Sequence, residues 1–155
     1  MLYSIAIVLH LLAAIVWIGG MFFAYVVLRP SAAMLLEPPD RLPLWSETLR
    51  RFFSWVWLAI LLLLATGNWM IFGFYGGMKH AGPHIHIMNG IAWIMIVLFV
   101  YLNIGPLPGL RASAASQDWP SGGTQLARIR QVVAINLSLG LIVVIVAASG
   151  RFWSA

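Results

Sequence analysis

Apolar residues fall into four long runs separated by stretches rich in proline, glycine and charge. The runs are Leu2 to Leu28, Phe52 to Phe74, about Pro83 to Ile104 and about Val132 to Gly150. Each is long enough to cross a hydrocarbon core of about 30 Å as a helix. Lipid offers no partners to backbone N–H and C=O groups, so a spanning segment must satisfy them within itself. The pattern therefore predicts an all-α, integral membrane four-helix bundle forming one domain over residues 1–155. Pro30, Pro38, Pro39 and Pro43 mark the first connection. Gly73, Gly76, Gly77, Gly82 and Pro83 mark the second, and Pro106, Pro108, Gly109, Pro120, Gly122 and Gly123 the third. The first run has no Lys or Arg ahead of it and exceeds the apolar core of a signal peptide, so it reads as a permanent span.

Composition agrees with the pattern. Hydrophobic residues make up 62% and charged residues 8%, against about 25% charged in soluble domains. A water-covered surface and a disordered chain are both excluded. The absence of cysteine removes disulfides, thiolate metal sites and cysteine nucleophiles. The basic balance rests on few charges without a dense patch, which argues against nucleic acid as a partner. Those charges do set an orientation. Arg29, Arg41, Arg50 and Arg51 lie in the first connection, and Arg111, Arg128 and Arg130 in the third. Lys79 is alone in the second, and Arg151 follows the last run. The positive-inside rule then places both termini and the second connection outside, on the periplasmic side of a bacterial-type inner membrane. Arg128 and Arg130 could also meet lipid head groups.

A weak repeat accompanies the layout. With His10 placed over His86, six of nineteen positions agree: His10/His86, Ile15/Ile91, Trp17/Trp93, Ile18/Ile94, Phe23/Phe99 and Tyr25/Tyr101. Ala65-Thr66-Gly67 is echoed by Ala148-Ser149-Gly150. This register predicts two pseudo-repeated helical hairpins, with His10 and His86 level at roughly 28 Å above the inner ends of their helices.

An ionisable side chain within a span is a functional candidate. If His10 and His86 flank one object, haem b and copper are the candidates, since neutral imidazole suits both. In the haem reading His10 and His86 are axial ligands. Ala14, Trp17, Gly90 and Trp93 shape the pocket, and Arg151 or Lys79 pairs with the propionates. Two strong axial ligands favour electron transfer, with a quinone or a periplasmic redox protein as partner. The copper reading uses Met78-Lys79-His80-Ala81-Gly82-Pro83-His84-Ile85-His86-Ile87-Met88, in which imidazole and thioether donors crowd into eleven residues. Its ligands are His80, His84, His86 and Met88. A third reading makes the histidines polar links between helices in a subunit of a larger membrane complex. The four acids, Glu37, Asp40, Glu47 and Asp118, all fall in the first and third connections, so no carboxylate relay crosses the membrane. No residue is marked as catalytic, and association with further copies of the chain is compatible with the pattern.

These residues resemble CopD-type membrane proteins and their HemJ-type relatives. The likeness rests on His10-x6-Trp17-x-Gly19-Gly20-x-Phe22-Phe23 with Leu28-Arg29-Pro30, on Arg50-Arg51, on His84-Ile85-His86 and on the arginine-rich start of the fourth helix. The resemblance implies a compact four-helix inner-membrane protein concerned with copper resistance or transport. In the HemJ-type branch it implies haem b and protoporphyrinogen oxidation. His10 would match the first-helix histidine and His86 the third-helix histidine. The HemJ-type pattern has a lysine two residues later, where this chain has Met88, and that departure argues against protoporphyrinogen oxidation.

Overall fold

A computed structural model describes residues 1–153, the side chain of Arg151 excepted. Among the described residues the regular structure is entirely helical. Helix α1 spans Leu2–Leu35 and α2 Pro38–Phe74. Helix α3 spans Pro83–Ile104, α4 Pro106–Ala115 and α5 Trp119–Ser149. Four helices have the length and hydropathy to cross a bilayer, as the apolar runs predict. Their outer faces carry Trp55, Leu61, Val97 and Ile145, each at least 60% exposed. Such an apolar surface is stable against lipid rather than water.

The bounds of α3 coincide with the third apolar run, but α2 and α5 begin well before theirs. Pro38 and Pro39 occupy the first turn of α2, where a backbone N–H has no intrahelical acceptor, so these prolines start the helix instead of breaking it. Pro120 does the same for α5. There the Ser121 amide donates to the Asp118 carboxylate at 3.2 Å and closes the N-terminus. Hydropathy marks where a helix meets lipid. The polar first turns of α2 and α5 extend beyond that zone, and α2 carries Glu47 with Arg50 and Arg51 paired to it at 2.7 and 2.6 Å. The third connection also contains α4, which buries Leu107 and Leu110 and exposes Arg111.

The first half of α1 packs on α2, and α3 packs on α5. Helix α4 lies against α2 and α5. The centre is an aromatic cluster. Phe99 of α3 meets Phe53 and Trp57 of α2 at ring-centroid distances of 4.9 and 5.2 Å, and Trp17 of α1 at 6.2 Å. All three contacts are edge-on, the favoured geometry for aromatic quadrupoles. Gly140 of α5 lets α1 and α3 approach. A Cβ there would stand 3.0 Å from Ile18 and 3.3 Å from Met95. Two π-helical turns, Ile15–Gly19 and Phe23–Leu28, widen α1 over this contact region.

Packing follows a different register from the one the six identities suggest. Trp17 is buried while Trp93 is exposed, and Phe23 is exposed while Phe99 is buried. A shift of two residues brings more of the buried positions into correspondence, although buried Ala13 then falls on exposed Ile87. Met21 and Met95 are both buried, as are Ala32 and Pro106, and His10 then matches His84. The buried face of a helix, rather than shared aromatic composition, fixes which positions are equivalent.

Candidate functional site

The histidines gather at the end of the bundle formed by the start of α1, the end of α2 and the start of α3, yet each has its own setting. His10 lies in the seam between α1 and α2, with its Nδ1 at 2.8 Å from Thr66 Oγ1. The Thr66 hydroxyl has a single hydrogen and donates it to the Leu62 carbonyl at 2.6 Å. Toward His10 the oxygen must therefore accept, so Nδ1 carries the proton and Nε2 keeps its lone pair. Gly67 lies beside the ring, where a Cβ would sit at an ordinary contact distance of 3.4 Å from His10 Cε1.

His84 enters the other seam. It stands one residue after Pro83 in the first turn of α3, with its side chain against Gly82 and Gly150. A Cβ at Gly150 would lie 2.3 Å from the His84 Cβ, and one at Gly82 would lie 2.8 Å from its Cε1. At Gly150 the clash is with the Cβ of His84, which cannot swing aside, whereas at Gly82 only the imidazole ring would have to turn. His80 is exposed on a 3-10 turn, Met78–His80, that follows Gly76 and Gly77 at φ +73° and +114°. Its Nδ1 lies 3.3 Å from the Gly76 carbonyl, which only accepts, so here too Nε2 is left to bind. His86 is exposed, and Met78 and Met88 are half-buried. His84 and Met88 stand four residues apart and so share a face of α3, whereas His86 diverges from both.

His10 is engaged across the α1–α2 seam, while His86 faces outward from α3. Of the remaining haem candidates, Trp17 is packed in the aromatic core and Ala14 is half-buried on α1. Gly90 and Trp93 are exposed on α3, Trp93 by 51%. Gly90 has nothing within 4 Å of where a Cβ would project. The Arg151 side chain lies outside the described residues. A flat macrocycle needs two facing imidazoles and apolar walls between them, and the residues present do not supply that set. Among the described residues no three His, Asp or Glu side chains are grouped closely enough to hold one ion.

The partner of His10 was foreshadowed only by the echo of Ala65-Thr66-Gly67 in Ala148-Ser149-Gly150. That echo marks the two places where a histidine seats against the neighbouring helix, Thr66-Gly67 under His10 and Gly150 under His84.

The family model described as copper resistance protein D matches residues 46–149. The chain belongs to the CopD family. No curated protein and no solved structure matches it. The CopD match begins inside α2, so it covers His80, His84, His86 and Met88 and leaves out His10 and the first-helix motif on which the resemblance leaned most. Family membership and the four long apolar helices together make this a multi-pass membrane protein related to copper resistance.

Proposed function

We propose that this CopD-family chain binds copper as cargo at the histidine-bearing end of its bundle, with His80, His84, His86 and Met88 as donors. One observation carries the reading: three imidazoles and two thioethers within Met78–Met88, inside the family-matched stretch. Thioether sulfur is a soft donor that selects Cu(I), and imidazole accepts either oxidation state. His84 and Met88 start the site from one face of α3. His80 sits on a turn preceded by two glycines in left-handed backbone, the conformation that favours glycine and permits the turn to be re-aimed. His86 diverges from His84 and Met88 while the first turn of α3 is helical, so all four donors meet only when that turn unwinds around the metal, which suits a site that must release what it binds. The excess of arginine at the opposite end supports an outer-side location for this end in an inner membrane.

Copper titration of the purified protein in lipid discs, in competition with a Cu(I) chelator, tests the reading. The expected result is stoichiometric copper that is lost in His84→Ala and Met88→Leu and kept in His10→Ala. Copper retention no better than in those two variants overturns it. So does a Soret band that disappears in both His10→Ala and His86→Ala, which would restore haem b.

A further inference from the structure

A cavity of about 340 Å³ opens at the end of the bundle remote from the histidines. Arg29 of α1, Arg41 of α2 and Arg130 of α5 all line it, above walls that include Trp45, Trp119 and Leu126. The size falls in the ordinary range for a small-molecule site. Three cations around one space repel each other and ordinarily recruit carboxylates. Here none of the three is within ion-pair distance of an acid among the described residues. Glu47 is committed to Arg50 and Arg51, and Asp118 accepts from Ser121. Glu37 and Asp40 flank the cavity-lining Pro38 without pairing to any arginine. Arg29 is held in place by stacking on Tyr25, with its guanidinium carbon 4.9 Å from the ring centre. A narrow apolar cleft shares Arg29, Trp45, Leu126 and Arg130 with the cavity and continues toward the core past Ile129 and Val133.

We propose that this cavity binds the phosphate of an anionic ligand, with Arg29, Arg41 and Arg130 as its clamp. Planar guanidinium forks match phosphate oxygens in pairs, and three forks from three helices surround one group. The ligand replaces the missing carboxylates, so its binding ties α1, α2 and α5 together. The phosphate belongs either to a lipid head group, with its chain along the apolar cleft, or to a soluble phosphate. The site is independent of copper and lies at the other end of the molecule.

The test uses the full chain in discs of phosphatidylcholine, with thermal unfolding as the readout. One arm adds phosphatidylglycerol to the disc. The other adds inorganic phosphate or pyrophosphate at ionic strength matched with sodium chloride. The unfolding temperature should rise in one arm, which identifies the source. Arg41→Gln and Arg130→Lys should weaken the apparent affinity about tenfold or more. Arg111→Gln, whose arginine is exposed outside the cavity, should respond as the parent does. Gly123→Leu keeps every charge but fills the space, since a Cβ at Gly123 meets nothing within 4 Å, and it should abolish the response. No rise in either arm overturns the proposal, as does an equal loss in Arg111→Gln or an undiminished response in Gly123→Leu.

Discussion

His10 donates from Nδ1 to the Thr66 hydroxyl at 2.8 Å, and Thr66 passes its own hydrogen to the Leu62 carbonyl at 2.6 Å. This short relay links α1 to α2 and fixes the imidazole tautomer. Thr66→Val removes the acceptor and leaves a half-buried N–H unpaired. The expected cost is about 0.6–2 kcal/mol, the lower figure being usual for polar links between helices in a bilayer. Thr66→Ser should restore most of it. Nitrogen NMR of the neutral imidazole should report the Nδ1–H tautomer in the parent, and a dominant Nε2–H form would sink the assignment.

Phe99 and Phe23, matched by the sequence repeat, should respond differently to truncation. Phe99→Ala removes the ring that touches Trp17, Phe53 and Trp57. In a bilayer the transfer term is small, because lipid is as apolar as the core. What remains is the unfilled volume. At about 24 cal/mol per Å³, a void of roughly 100 Å³ costs about 2 kcal/mol. Phe23→Ala lies on an exposed face and should change the midpoint of detergent unfolding little. Equal losses would mean that the aromatic cluster is not the centre of the bundle.

The number of spanning helices, their type and the limits of α3 are legible in the sequence because hydropathy and the Gly82-Pro83 and Gly105-Pro106 breaks coincide there, whereas α4 hides in what reads as a connection. The starts of α2 and α5 are not. Pro38, Pro39 and Pro120 look like loop residues until their place in a first turn is known, and polar turns beyond the bilayer carry no hydropathy signal. The site was half legible. The donors at His80, His84, His86 and Met88 stand out by type and density. Which seam each ring enters depends on residues distant in the chain: Thr66 holds His10 by a hydrogen bond, and Gly150 leaves the space that His84 fills. The register that sets His10 over His86 is not the one the packing follows, for a related reason. A match between apolar helices is dominated by common residues, and a slip of two positions moves side chains to another face.

Asp118 gives the chain a titratable helix start. The hydrogen bond from Ser121 holds its carboxyl below the ordinary carboxylate range. A group depressed in this way contributes stability above its unfolded value, about 3.9. That contribution is lost as pH falls through the lower folded value. Helix α5 should therefore begin to fray only below about pH 4. Asp118→Asn should remove this acid dependence while keeping the cap, and Asp118→Ala should remove both. Amide exchange at Ser121 and Gly122 measures it, and an unchanged exchange rate in Asp118→Ala would show that the cap contributes nothing.

Gly150 and Gly67 each sit beneath a histidine, yet the space above them differs. A Cβ at Gly150 would lie 2.3 Å from the Cβ of His84, an atom bound to the backbone that cannot swing aside. One at Gly67 would meet only the Cε1 of His10, at the ordinary distance of 3.4 Å. Gly150→Ala must push the start of α3 away from α5, at about 1–3 kcal/mol for overpacking. Gly67→Ala should be close to neutral. Displacing His84 also moves the face it shares with Met88, so copper affinity should fall in Gly150→Ala and hold in Gly67→Ala. Measuring both variants by unfolding and by chelator competition separates the two effects. A stable Gly150→Ala protein with full copper affinity would show that the seat of His84 does not govern the site.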